Sequence, residues 1–417
     1  MNPGNRGDHR NCRLIEWLNF FLADVQTGLG PFLAAYLASG GWSPERVGYA
    51  LTFGGLVTVA AQTPAGAVID AVRRKRLLLA LNLGLLVSGA ILLMGNMSTK
   101  SVYSAQFLIG GSAAFLGPTV AAITLGIVGA SAFDKQFGRN QAFNSAGNVF
   151  TALVIAYVSY KFGYRAIFAI AALLAIPAGL SVFAIDPREI SYERARGSVD
   201  DSAHGKAEGL SALLKDRILL CFLAAVFLFH LANAAMLPQL GEMLSTGSPK
   251  AAAPFMSACI IVTQLVISLS AAWIGKRAAT HGRRPLLLLG FGVLPIRGVL
   301  YTLTHSAGLL IAIQTLDGLA NAIFVVVSML VIKDRTQGTG RFNLAAGTLA
   351  TMVGIGAAAS MTLGGVLIQH LGYRASFLGL AGVALVAFML LGFSVPETLS
   401  SGEASTATNN EPNKIVA

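Results

Sequence analysis

Stretches of about twenty predominantly apolar residues recur along the whole chain. A stretch of this length can cross the hydrocarbon core of a bilayer as an α-helix. The repeated pattern therefore predicts a membrane protein rather than a water-soluble domain. Twelve candidate spans are present, at about residues 14–37, 47–69, 77–97, 102–128, 143–161, 165–185, 218–240, 252–275, 285–303, 307–331, 344–369 and 374–394.

The composition indicates the same class. Of the 417 residues, 54% are hydrophobic and 12% are charged, whereas soluble domains carry roughly 25% charged residues. The first apolar run is not expected to be a cleaved signal peptide, because it has no small-residue cleavage site and continues through Asp24 and Pro31. The three cysteines show no paired spacing, which argues against a disulfide framework and a metal site.

The basic residues are distributed unevenly between the two sides of the predicted membrane. If the N-terminus is cytoplasmic, 23 of the 30 Lys and Arg residues fall on the cytoplasmic side, six fall outside, and Arg297 lies within a span. Cytoplasmic loops of membrane proteins carry such an excess. We therefore expect an inner (plasma) membrane protein with both termini in the cytoplasm. Topology accounts for the net charge of +11 without a nucleic-acid partner.

Short motifs recur at an offset of 208 or 209 residues. The sequence GYRAIF at Gly163 returns as GYRASF at Gly372, 209 residues later, and Gly66 and Gly275 open two similar basic loops at the same offset. The Gln-x-x-x-Gly motif that begins at Gln106 recurs 208 residues later. These matches predict two homologous six-helix halves, an arrangement that places a binding site between the halves near the middle of the membrane.

The predicted organisation is an all-α membrane protein of twelve transmembrane helices in two pseudo-symmetric bundles. The N-terminal bundle covers 1–185, a cytoplasmic linker covers 186–217, and the C-terminal bundle covers 218–398. The polar segment 399–417 is expected to be a disordered cytoplasmic tail. We expect the chain to be a monomer in the lipid bilayer.

The chain resembles the major facilitator superfamily of secondary transporters over almost all of residues 1–398. The most specific match is the loop after span two, where Gly66, Asp70, Arg74 and Lys75 agree with the family pattern and its first Arg and second Gly are replaced. In the second half Gly275, Gly282, Arg283 and Arg284 match, with Ala279 at the Asp position. The resemblance implies the family's twelve-helix fold.

The loop residues have two interpretations. By resemblance, Gly66, Asp70, Arg74, Lys75, Gly275 and Arg283 form a latch that holds the cytoplasmic ends of the halves together when the cavity faces outward. The alternative is that the basic residues only anchor the loops on the cytoplasmic side. Two other family signatures differ: Gln106 replaces the membrane arginine of span four, and span five lacks the antiporter glycine-proline motif.

Ionisable residues within apolar spans are costly, and are therefore candidates for function. Asp24 is about 15 Å into span one and His230 about 18 Å into span seven, counted at 1.5 Å per residue. By resemblance both spans line the central cavity. An embedded carboxylate can exchange protons near neutral pH, because loss of hydration disfavours its charged form. Asp24 is the leading proton-coupling candidate. The alternatives are a structural carboxylate satisfied by Asn19 or Thr27, and a structural histidine.

A second candidate pair is Arg297 in span nine and Asp317 in span ten. Their similar depth on consecutive antiparallel helices predicts an ion pair, which is either purely structural or a gate or coupling relay. Further polar residues are candidates for the cavity wall, although each could instead make a helix-packing hydrogen bond: Gln26, Asn144, Asn148, Asn233, Gln264 and Asn321.

These observations favour a proton-coupled transporter of a small organic solute that works by alternating access and exports a drug or metabolite. Proton-symport uptake is the alternative, and a non-transporting receptor is a remote one. No Gly-x-x-x-x-Gly-Lys-Ser/Thr nucleotide loop occurs, so a proton gradient is the expected energy source and no cofactor is expected. An enzyme is not expected, because the six histidines are dispersed.

Overall fold

The chain folds into α-helices. A computed structural model describes residues 4–27, 29–195, 215–247, 249–336 and 342–399, and this part contains no β-strand. The helices are α1 Gly4–Thr27, α2 Leu29–Ser39, α3 Pro44–Ala71, α4 Lys75–Gly95, α5 Thr99–Val128, α6 Ala130–Phe162, α7 Arg165–Ala184, α8 Tyr192–Ala195, α9 Arg217–Asn233, α10 Met236–Gly247, α11 Pro249–His281, α12 Arg284–Leu300, α13 Ala307–Thr336 and α14 Phe342–Ser394.

Eight helical stretches of the described chain are long and apolar enough to cross a membrane. They are Lys75–Gly95, Thr99–Val128, Lys135–Phe162, Arg165–Ala184, Arg217–Ser245, Lys250–His281, Ala307–Thr336 and Leu344–Ser394. The last of them contains two predicted spans, because Gly372 interrupts α14 with a φ of 81°. α12 also corresponds to a predicted span, but with 17 residues it is shorter than the roughly 20 that a membrane crossing needs, and it is not one of the eight. The all-helical membrane fold is thus confirmed, and the count of twelve spans stays a prediction.

The helices group into two compact units. The first unit contains α1–α8 together with residues 237–261 and 361–370. The second unit contains α9 and the residues that follow it as far as Met236, residues 262–360, and the chain from Leu371 onward. The sequence placed the ends of the linker between the two bundles at residues 185/186 and 217/218, and these two boundaries remain predictions. Most of the predicted linker, residues 196–214, and nearly all of the predicted tail, residues 400–417, lie outside the described residues.

α4 shows why these helices suit a membrane. Leu79 and Leu83 are buried in the core of the first unit, whereas Leu77 and Leu81 on the other face are 47% and 59% exposed. A helix that is apolar on every side belongs in a large core or in lipid. The exposed leucines therefore form a surface suited to contact acyl chains.

Several of the glycines that recur in the two predicted halves lie at turns or at close contacts between helices. Gly163 and Gly372 have φ values of 80° and 81°, a left-handed conformation that glycine adopts without steric cost. Gly110 on α5 packs directly on the backbone of Gly54, and a Cβ on Gly318 would lie 2.9 Å from the Thr263 carbonyl oxygen. Small residues permit such close helix contacts in membranes. The internal repeat therefore preserves turns and helix crossings.

Candidate functional site

A buried ion pair lies in the second unit. Arg297 on α12 and Asp317 on α13 are in direct contact, and these residues are 1% and 8% exposed. Both helices consist mainly of apolar residues. An isolated charge in such surroundings carries a large desolvation penalty, and an opposite charge with further hydrogen bonds offsets much of it.

Polar groups from neighbouring helices complete the pair. The Arg297 Nη2 atom donates to the Asn233 Oδ1 atom of α9 at 2.6 Å and lies 3.1 Å from the Met236 sulfur. The Asp317 Oδ2 atom accepts from the Gln314 amide at 3.2 Å and from the Thr263 hydroxyl of α11 at 3.4 Å. Residues of five helices, α9 to α13, therefore meet at one charged centre.

Tyr301 extends this network. Its hydroxyl donates to the Gln314 side-chain oxygen, and its ring centroid lies 5.6 Å from the Arg297 guanidinium carbon. Gln314 is fully buried, and Asn321 donates to the Asp317 backbone carbonyl at 3.0 Å. We call Arg297, Asp317, Gln314, Asn233 and Tyr301 the charged cluster. Any movement of these helices relative to one another must rearrange its hydrogen bonds.

His230 lies in an aromatic environment on α9. Its ring makes an edge contact with Phe324 at a centroid distance of 4.6 Å, and the Nδ1 atom lies 3.0 Å from the Val226 carbonyl oxygen. Gly356 of α14 packs closely on the Phe227 carbonyl at the same level. These contacts describe a histidine at a helix-packing site, and the described residues provide no hydrogen bond between His230 and the charged cluster.

The other predicted cavity residues are distributed over both units. Asn144 on α6 donates to the Asn19 carbonyl of α1 at 3.4 Å, and Asn148 donates to Asn144 at 3.3 Å. Gln264 is half-buried on α11, next to Thr263. The structure thus brings Asn233 and Asn321 to the charged cluster, and it places Asn144 and Asn148 at the contact of α1 with α6.

Two predicted residues of span one have side chains outside the described part of the structure. Asp24 and Gln26 lie on the backbone of α1, near its C-terminal end at Thr27. Their roles stay predictions from the sequence. α2 begins at Leu29, so the predicted span 14–37 corresponds to parts of two helices.

The basic loop after α3 is held by Lys75. This residue is 1% exposed, and its Nζ atom donates to the Ile69 carbonyl at 2.6 Å. A cation at the C-terminus of a helix satisfies free carbonyl groups and the negative end of the helix dipole. Arg74 is exposed, and no described atom would lie within 4 Å of a Cβ on Gly66. The side chain of Asp70 lies outside the described residues.

The second basic loop has the same capping interaction. Arg283 donates from Nη1 to the Ala278 carbonyl at 2.8 Å and lies 3.1 Å from Asp334 in a buried ion pair. Among the described residues, a Cβ on Gly275 would meet only the Val326 side chain, at 3.9 Å. The predicted latch residues Lys75 and Arg283 therefore each bind the end of the preceding helix within their own unit.

Glu397 binds the backbone at the end of this second loop. Its carboxylate accepts from the backbone N–H groups of Arg283 at 2.8 Å and Arg284 at 3.0 Å, at the start of α12. Burial tends to raise the pKa of Glu397, but backbone donors from Arg283, Leu399, Arg284 and Thr398 outweigh it and hold that pKa below its usual value. The Pro396–Thr398 segment thereby acquires a structural role that the sequence indicated only weakly.

A polar cluster in the first unit was not predicted. Glu16 on α1 is 2% exposed, with Arg139 at 2.9 Å and Gln136 at 3.1 Å from its Oε1 atom. Gln136 also donates to Asn140, which donates to Thr124. The signal in the sequence was the spacing of Gln136 and Asn140, because residues four apart lie on one helical face.

A close contact joins α3 to α14 within the first unit. Gly48 packs against the Met361 carbonyl, and its Cα lies 3.2 Å from where a Cβ on Gly365 would be. The Thr52 and Thr362 hydroxyl groups are 2.8 Å apart, and the Thr362 N–H donates to Thr52 at 3.0 Å. This contact joins helices from the two predicted halves, and the glycines permit the backbones to meet.

Sequence comparison identifies relatives over nearly the whole chain. The profile of the Major Facilitator Superfamily matches residues 17–294 and 237–415. An uncharacterized MFS-type transporter of Mycobacterium tuberculosis, Rv2456c, is 38% identical over 395 residues, which cover 94% of both chains. The tetracenomycin C resistance and export protein of Streptomyces glaucescens is 29% identical over 125 residues, which cover 30% of this chain and 23% of that protein.

Solved structures share the fold at low sequence identity. The crystal structure of the nucleoside transporter NupG superposes with a TM-score of 0.74 at 14% identity, covering 94% of this chain and 100% of that chain. The D-xylose-proton symporter gives a TM-score of 0.69 at 15% identity, covering 93% and 97%. At this identity the likeness establishes the helical architecture.

Proposed function

This chain belongs to the major facilitator superfamily, and we propose that it is a secondary transporter that moves a small organic solute across the inner membrane by alternating access. The observation that carries the proposal is the charged cluster. Arg297 and Asp317 are buried among apolar helices, where charges are costly and mark solute or ion pathways. Asn233, Gln314 and Tyr301 provide hydrogen-bonding groups that a solute could exchange for their present partners.

Protons are the proposed energy source. Asp24 lies on α1 within a predicted span, and Asp317 lies in the charged cluster. A carboxylate embedded in an apolar span, as Asp24 is predicted to be, can bind a proton when it is isolated and release it when a cation or water approaches. Asp24 is the leading coupling residue, whereas Arg297 and Asp317 form the gate or relay that responds to the solute.

Export is the proposed direction. Partial similarity to the tetracenomycin C resistance and export protein supports it. The protein would then exchange one solute molecule for protons that enter the cell. Uptake by proton symport is the alternative direction, and the growth screen described next distinguishes the two. The proposed orientation has both termini in the cytoplasm, as the excess of basic residues on one predicted side indicates.

A growth screen of a deletion strain tests the proposal. The strain is compared with its parent on panels of toxic compounds and of single nutrients, and a plasmid copy of the gene restores the lost protein. Export predicts hypersensitivity to at least one compound, accompanied by its accumulation in the cells. Failure to grow on one nutrient would indicate uptake instead. The deletion strain that carries an empty plasmid is the negative control.

A further inference from the structure

Glu242 is a buried acidic residue that the proposed mechanism does not yet use. It lies on α10 and is 4% exposed, and its Oε2 atom has no hydrogen-bond partner among the described residues. Among the described residues, no ion pair is formed with this carboxyl group from α10 or from the elements around it. The nearest ionisable residue along the chain, Lys250, is exposed.

Glu242 belongs to a polar face of α10. Gln239, Glu242 and Ser245 are spaced at intervals of three residues, and they are 2%, 4% and 1% exposed. Residues three apart share one side of a helix. Gly241, beside Glu242, packs so closely on Met256 of α11 that a Cβ there would displace the Met256 side chain. At 4% exposure, Glu242 is itself buried in the protein.

The helix that carries Glu242 is separated from α9 by a break. α9 ends at Asn233, α10 begins at Met236, and the Ala235 N–H donates to the Ser360 hydroxyl at 2.9 Å instead of continuing the helix. Asn233 and Met236, on either side of the break, both contact Arg297. Glu242 follows Met236 by six residues on α10. Discontinuous membrane helices commonly carry coupling-ion sites.

From this geometry we infer that Glu242 is a proton-binding site, distinct from Asp24, which holds its proton in the conformation described here and releases it when α10 moves about the break. An ionised carboxylate without a partner is strongly disfavoured in such surroundings, and the neutral acid is the form that the site tolerates. The inference deepens the proposed function and rests on it for the coupling role.

The chemistry is a reversible proton transfer. In a conformation that opens α10 to water on the outer side, a carboxylate oxygen of Glu242 takes a proton from hydronium and water is left. Closure encloses the neutral acid. Exposure to water on the other side breaks the O–H bond and returns the proton to water. No electrons are transferred, and no further reactant is needed.

Infrared spectroscopy of the purified protein in lipid nanodiscs tests proton binding without a solute. At pH 7 the wild-type protein should show the carbonyl stretch of a protonated carboxylic acid, and Glu242→Gln should lack that band. Glu242→Asp should retain a shifted band. Glu45→Gln is the matched control, because Glu45 is a carboxylate at a solvent-exposed site where it accepts from Tyr49 at 2.6 Å. Identical spectra of wild type and Glu242→Gln would overturn the inference.

The coupling role has its own measurement. Proteoliposomes are loaded with the compound that the growth screen identifies, and gradient-driven flux is compared with exchange at equal pH. Glu242→Gln should lose gradient-driven flux at least tenfold and retain exchange, whereas Glu45→Gln should retain both. Normal gradient-driven flux in Glu242→Gln would overturn the coupling role and leave the proposed function intact. If wild type carries no compound, the proposed function fails, and the infrared result still decides whether Glu242 holds a proton.

Discussion

Arg297 and Asp317 form an ion pair across α12 and α13, with side chains only 2% and 11% exposed. The two residues lie 20 positions apart on consecutive helices. Beyond this contact, Arg297 donates to Asn233, and Asp317 accepts from Gln314 and Thr263. The contribution of either charge to the free energy of folding therefore depends on the presence of the other.

Removal of one partner should be more damaging than removal of both. Arg297→Ala or Asp317→Ala leaves an uncompensated buried charge, which typically costs about 3–5 kcal/mol. We expect each single variant to reduce the folded yield in detergent, measured by size-exclusion chromatography, and the double variant to recover part of the loss. Arg46→Ala, a change at an exposed arginine on α3, should have little effect.

Losses in the double variant equal to the sum of the single losses would contradict this prediction. Such additivity would show that the two charges do not interact. If the double variant folds but does not transport, the pair has a role in the transport cycle beyond stability.

The sequence was informative where a pattern had one physical cause. The apolar spans predicted the helical membrane fold, and the depth of Arg297 and Asp317 on antiparallel spans predicted their pairing. The recurrence of Gly163 at Gly372 was detected, and both residues have a positive φ. Each of these features depends on local spacing or on a property of a single residue.

Other contacts could not be predicted because they depend on tertiary packing. Glu16 gave no signal as the partner of Arg139, since 123 positions separate them. Glu242 was overlooked, because its significance comes from its burial without a partner and from the break before α10. The environment of His230 depends on Phe324, which belongs to a different helix.

The contact between α3 and α14 should depend on the absence of a side chain at Gly48. A Cβ at this position would overlap the Met361 carbonyl, so Gly48→Ala must separate the two helices. We expect a loss of about 1–3 kcal/mol, as found for overpacked sites, and a lower midpoint of thermal unfolding. Gly84→Ala is the matched control, since no described atom lies within 4 Å of a Cβ there.

The control should be neutral or stabilising, because alanine is favoured over glycine in a helix by about 1 kcal/mol. An unchanged unfolding midpoint in Gly48→Ala would show that the helices separate at no cost, and that the contact between Thr52 and Thr362 is not maintained in the membrane.

Stability should depend on pH through Glu397. The folded-state pKa of this carboxyl is lowered, so its contribution is present above the ordinary glutamate pKa of about 4.3 and is lost as the pH falls through the folded value. Glu397→Gln should therefore destabilise the protein near pH 7 by about 1 kcal/mol, typical of a lost helix cap. Unfolding curves at several pH values measure the difference.

The difference between wild type and Glu397→Gln should shrink as the solution becomes more acidic. A difference that is constant from neutral pH to below pH 4, or one that grows in acid, would contradict the assigned hydrogen bonds from Arg283 and Arg284 to an ionised carboxylate.

Cysteine labelling tests the proposed orientation. In a variant without Cys12, Cys221 and Cys259, we expect His204→Cys in the predicted linker to react with a membrane-impermeant maleimide only after the cells are permeabilised. Lys100→Cys, at the start of α5, should react in intact cells. The opposite pattern at these two positions would invert the topology that the basic residues predict.

Proton-driven flux in liposomes that contain only this protein tests the central claim most directly. Wild-type proteoliposomes are loaded with the identified compound, and its movement is followed with and without an imposed pH gradient and a protonophore. The account predicts movement against the concentration gradient that requires the pH gradient and is abolished by the protonophore. Asp24→Asn should lose this accumulation and retain part of its exchange activity at equal pH. Equal flux with and without the gradient in wild type, or full gradient-driven accumulation in Asp24→Asn, would contradict the account.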